Sequence, residues 1–98
     1  MKGGILIQNG TIVTSTDTYR SDVLVIGNRI ALIDSEISTR DIYKIIDAEG
    51  CYIFPGGVDP HVHMHLPTAA GYSSDDFFTG SRAALYGGTT TLIDFVTP

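Results

Sequence analysis

In the first half of the chain, apolar residues fall in short runs separated by polar or glycine-bearing breaks, a strand rhythm rather than a helical one. Ile5-Leu6-Ile7 and Thr11-Ile12-Val13-Thr14 flank Gln8-Asn9-Gly10. Asn-Gly between apolar runs predicts a tight hairpin, because both residues tolerate positive φ. Asp22-Val23-Leu24-Val25-Ile26 and Arg29-Ile30-Ala31-Leu32-Ile33 flank a second such turn at Gly27-Asn28. Tyr43-Lys44-Ile45-Ile46-Asp47 and Cys51-Tyr52-Ile53-Phe54 complete the set, after polar connections over residues 15–21 and 35–41. Residues 1–54 are expected to form a small antiparallel sheet of about five or six strands.

The rhythm changes at Pro55-Gly56-Gly57, where the glycines permit sharp backbone geometry. Residues 58–63 read as extended, and Leu66-Pro67 opens a loop that runs to Tyr72. Ser73 or Ser74 is a suitable cap for a helix over residues 75–86, with Asp75 and Asp76 in its first turn, where carboxylates suit the helix dipole. Phe77 and Phe78 read as core, and Gly80, Ser81, Ala83 and Ala84 keep the helix thin enough to pack closely on a sheet. Gly87-Gly88 stops the helix, and residues 89–96, rich in β-branched side chains, form a strand. Strand, helix and strand in this order make a βαβ unit with parallel strands. Two parallel strands alone would leave both edges open, so residues 55–98 are expected to open a larger α/β domain that continues past residue 98; the alternative is a complete small α+β domain in which the sheets pack together.

Composition narrows the function classes. The 98 residues are 43% hydrophobic and 17% charged, which is globular and not disordered. A net charge of −5 argues against nucleic acid or an anionic membrane as the main partner. The one cysteine, Cys51, cannot build a disulfide framework and is expected to be a buried, inert thiol in a reducing, cytoplasmic setting. No apolar run approaches the roughly 18 residues needed to span a bilayer, and the apolar run near Met1 is too short for a signal peptide.

His61-Val62-His63 carries the candidate chemistry. On a strand, residues two apart share a face, so both imidazoles converge on one side. Neutral imidazole is a common zinc ligand, and the C-terminal end of a parallel strand is where α/β folds build their sites. Spacing alone leaves two ordinary histidines as the alternative. His65 continues the series, and either faces the site or makes a local hydrogen bond in the loop. Asp59 either orients the His61 ring or caps the turn, and Asp94 either faces the cavity or, the favoured reading, makes a structural hydrogen bond. Tyr72 lines a substrate mouth or anchors its loop.

Pro55-Gly56-Gly57-Val58-Asp59-Pro60-His61-Val62-His63 resembles the first-strand signature of the cyclic amidohydrolases. Residues 74–84 and Gly87-Gly88-Thr89-Thr90-Thr91-Leu92-Ile93-Asp94-Phe95 look like the hydantoinase and dihydropyrimidinase branch in particular, and residues 5–13 are similar to its opening hairpin. The resemblance implies an α/β fold with an N-terminal antiparallel β-sandwich portion, residues 1–54, followed by the first βαβ unit of a TIM-barrel amidohydrolase, residues 55–98. It implies a metal-dependent enzyme that hydrolyses the ring C–N bond of dihydropyrimidines or hydantoins, with two zinc ions per site in the complete enzyme and a metal-bound hydroxide as nucleophile. His61 and His63 would bind metal, and His65 and Tyr72 would contact substrate. The family's bridging lysine, further histidines and aspartate lie on later strands, and Lys2 and Lys44 both fall in the sheet half. The 98-residue chain alone is therefore expected to be inactive, with the remainder of the barrel and further copies of the chain as partners, and no nucleic acid or membrane. Two rivals stand beside this reading. One is a non-catalytic assembly module. The other is a dihydroorotase-like or allantoinase-like enzyme, and His65, where dihydroorotases tend to carry arginine, weighs against the first of these substrates.

Overall fold

A computed structural model describes residues 3–95, which divide into two compact units on either side of the Pro55–Gly56 bond. The first unit is a five-stranded sheet. Strands β1 (Ile5–Val13), β2 (Thr18–Ile26) and β3 (Arg29–Asp34) run antiparallel in sequence order, and β2 and β3 meet at the expected Gly27-Asn28 turn. Gly27 takes a φ of 61°, the left-handed conformation that such a turn demands.

Three expectations for this unit need correction. Asn9-Gly10 is not a hairpin: β1 passes straight through it, and both flanking runs pair with β2. Ile7 lies opposite Val23 and Gly10 opposite Ser21, so β1 spends one residue more than β2, and Asn9, with φ 66°, sits in a bulge. The positive φ foreseen from the sequence is present, but it absorbs an extra residue instead of reversing the chain. The reversal comes later, where the Thr14 amide donates to the Asp17 carbonyl and the Thr14 hydroxyl accepts from the amides of Thr16 and Asp17.

The sheet is also mixed rather than wholly antiparallel. Strands β4 (Lys44–Asp47) and β5 (Tyr52–Ile53) both run parallel to β1, along the edge that β2 leaves free. Residues 35–43 lead from β3 on one flank of the sheet to β4 on the other, and they seat Ile37 in the core. That core is small: Leu6, Ile12, Val23, Ile37 and Ala48 are buried, and Leu6 is wholly so. Asp22, also buried, accepts from the amides of Asn9 (3.0 Å) and Ile37 (3.4 Å), which fastens the crossover to the bulge. Cys51 is exposed and not buried, and its amide closes a turn onto the Ala48 carbonyl just before β5 begins.

In the second unit, β6 (Gly57–Val62) and β9 (Thr89–Asp94) pair in parallel, with helix α1 (Phe77–Tyr86) between them in sequence. A two-residue ladder of β7 (Pro67–Thr68) with β8 (Gly71–Tyr72) folds the loop that follows β6. The helix cap is Asp76, not a serine. Its Oδ1 accepts from the Thr79 amide at 2.8 Å, and the Thr79 hydroxyl accepts from the Asp76 amide at 3.1 Å, a reciprocal capping box. Ser73 serves the loop instead, accepting from the Leu66 amide. Gly88, at φ 87°, carries the left-handed stop.

Phe77 and Phe78 are 62% and 72% exposed, so neither is core within the described residues. A two-stranded sheet is too narrow to cover the helix, and the buried helical position is Gly80, which lies against Met64.

Candidate metal centre

β6 does not run regularly to its end. Asp59 lies opposite Leu92 and Val62 opposite Asp94, so β6 has one more residue than β9 across Pro60-His61. Proline offers no amide to the ladder, and a bulge at that point re-aims the following side chain. The Asp59 carboxylate supports the bulge by accepting from the His61 backbone amide at 3.2 Å, so it steadies the backbone and not the ring.

The two imidazoles converge. Nε2 of His61 lies 3.1 Å from Nε2 of His63, and the ring planes meet at 68°. Two nitrogens about 2.0–2.1 Å from one tetrahedral zinc ion sit roughly 3.3 Å apart, so the pair is spaced to share a metal. With one Nε2 protonated, the same spacing is a hydrogen bond between neutral rings. Both imidazoles are exposed, and the Phe95 ring backs them, 4.4 Å from the His61 ring and 5.0 Å from that of His63, almost parallel to the latter. No third histidine, cysteine or carboxylate joins them among the described residues. A zinc site asks for three or four protein ligands, so the donor set fits a metal in kind and falls short in number.

His65 and Tyr72 form a second aromatic pair, their rings stacked 4.0 Å apart at 12°. His65 has a φ of 54°, which breaks the alternation that would set it beside His63, and its amide donates to the Asp75 carbonyl at 2.7 Å. A cleft of about 340 Å³ runs past Met64, His65, Leu66, Phe77 and Phe95. A larger hollow of about 860 Å³ belongs to the sheet unit and is polar, with Arg20, Asp22 and Glu36 on its walls. The sequence reading gave Phe95 no place at the site. The signal for it was its place immediately after the last residue of β9, the strand that neighbours the histidine strand.

No family model matches the chain. It is 50% identical over 90 residues to the D-hydantoinase of Geobacillus stearothermophilus, a match that covers 92% of this chain and 19% of that enzyme. Among solved structures, the dihydropyrimidinase from Brevibacillus agri superposes with a TM-score of 0.87 at 47% identity, over 94% of this chain and 20% of the other. The L-hydantoinase (dihydropyrimidinase) from Arthrobacter aurescens follows with a TM-score of 0.77 at 30% identity, over 93% and 20%. The chain therefore spans about a fifth of the length of the relatives it matches. No helix among the described residues is long and apolar enough to cross a membrane.

Proposed function

We infer that this chain is the N-terminal segment of a hydantoinase- or dihydropyrimidinase-type cyclic amidohydrolase, the branch to which its relatives and structural neighbours belong. In this reading residues 55–98 open a (β/α)8 barrel, and the complete enzyme hydrolyses the ring amide of a hydantoin or dihydropyrimidine. The observation that carries it is the pair of Nε2 atoms 3.1 Å apart where a parallel strand ends, the end at which barrels of this class hold their chemistry.

His61 and His63 would hold zinc. Bound metal supplies Lewis acidity toward a ring carbonyl and toward water. The chain's own groups set the stage: Asp59 fixes the His61 backbone, Phe95 covers one side of both imidazoles, and the His65–Tyr72 stack offers an aromatic face to a planar ring. No third histidine, cysteine or carboxylate among the described residues joins the pair, so in this reading the remaining ligands come from later strands of the complete enzyme.

Zinc titration followed by the histidine ring resonances tests this reading. The chain should take up zinc weakly, below one tightly held ion per molecule, and His61→Ala or His63→Ala should abolish the uptake. It should release no product from hydantoin or dihydrouracil. Uptake that survives both substitutions would overturn the metal reading, and tight stoichiometric zinc with turnover would overturn the segment reading.

A further inference from the structure

We propose that Asp94 is the positioning residue of the histidine pair, acting through the backbone just after His63. The ladder of β6 with β9 ends where Val62 faces Asp94, so His63 lies beyond the last paired residue. The Met64 amide is taken instead by Asp94 Oδ2 at 3.1 Å, across 30 residues of sequence. The other oxygen, Oδ1, accepts from the Phe95 amide at 2.6 Å. One carboxylate thus fixes both the segment that carries His63 and the residue whose ring lies 5.0 Å from His63 and 4.4 Å from His61. Met64 is confined from the helix side as well, since its sulfur fills the space that Gly80 leaves open. Asp94 and Met64 are each half-buried, where a charge-assisted hydrogen bond is less diluted by water than at the surface.

Both Asp94 oxygens are committed to amides, which marks the group as a clamp and not a ligand. Without the clamp, the His63 ring would have to be ordered anew each time a metal is gripped, and ordering a free segment costs affinity. The functional consequence rests on the metal reading above; the clamp itself does not.

The test uses the isotopically labelled 98-residue chain. Without metal, the Met64 amide should exchange with solvent at least about tenfold more slowly than in an unstructured peptide, and the His63 and Phe95 rings should show a mutual NOE. Asp94→Ala should abolish both signals and weaken zinc binding, measured by ring-resonance titration, about tenfold or more. Asp94→Asn keeps an acceptor for one of the two amides and turns a donor toward the other, so it should recover only part of the ring contact and of the affinity. An unprotected Met64 amide in the unaltered chain overturns the clamp, however Asp94→Ala folds. So does an Asp94→Ala chain that keeps both the NOE and the affinity. Absence of zinc binding in the unaltered chain refutes the metal reading alone, because amide exchange and the NOE are read without metal.

Discussion

Gly56→Ala sets a methyl group where Thr90 already stands. A Cβ at Gly56 would lie 2.7 Å from the Thr90 Cβ, and nearer still to its hydroxyl and methyl. Rotating the threonine side chain moves the outer atoms but not Cβ, which the backbone of β9 holds in place. Carbon atoms pack at about 3.5–4.0 Å, so the start of β6 and β9 must part by about 1 Å. Overpacking of this kind costs about 1–3 kcal/mol. Alanine returns about 0.4–1 kcal/mol by narrowing the unfolded ensemble, since Gly56 does not occupy the left-handed region. The balance is a loss of roughly 1–2 kcal/mol, or about 4–15 °C in Tm for a chain of this size. Thermal and urea unfolding followed by circular dichroism reads it. A cycle with Thr90→Gly should recover at least about 1 kcal/mol of coupling, whereas Thr90→Ala, which keeps its Cβ, should recover only part. A Gly56→Ala chain as stable as the parent, or an equal loss in the Thr90→Gly background, would refute the steric argument.

Asp22→Ala should destabilise the sheet unit by about 2 kcal/mol, because the amides of Asn9 and Ile37 lose a charged acceptor in a buried place. Accelerated hydrogen exchange at Asn9 is the local readout. Acid should weaken the cap of the helix. The Thr79 amide, then the Thr79 hydroxyl, holds the Asp76 carboxyl below its ordinary pKa of 3.8. A depressed folded value favours the native state at pH above that ordinary value, and the benefit is lost as pH falls through the folded value. Helical ellipticity should therefore decline below about pH 4, and Asp76→Asn, which does not titrate, should flatten that decline. An unchanged acid profile for Asp76→Asn would remove Asp76 as its source.

Local chemistry was the most legible part of the chain. Gly27-Asn28 requires positive φ between two apolar runs, and the turn is there; Gly87-Gly88 likewise ends the helix. What the sequence hid was which of several local options the rest of the chain would select. Asn9 could end a strand or bulge within one, and the choice depends on β2 being long enough to pair with both flanking runs. The direction of β4 depends on the path of residues 35–43, and no period of β4 itself records that path. Ser73 and Ser74 were the expected caps before α1, and the reciprocal reach of Thr79 placed the cap at Asp76 instead. At the site, the histidine spacing was legible from strand alternation. The bulge at Pro60-His61, the Asp94 clamp and the Phe95 wall depend on pairing with a strand some thirty residues later. Gly56-Gly57 looked like a sharp bend, yet neither residue is left-handed, and the room that Gly56 leaves is occupied by Thr90.

The outermost strand of the sheet unit has a consequence for handling the protein. β3 is exposed along its whole length, with Ile30, Leu32 and Ile33 in solvent, and it begins with Arg29 and ends with Asp34. A second such strand arriving head to tail would set arginine against aspartate at both ends, so the terminal charges attract where a guarded edge would repel. Dilute solution and added salt, which screens those end pairs, are the conditions that keep this flank from zipping to its like.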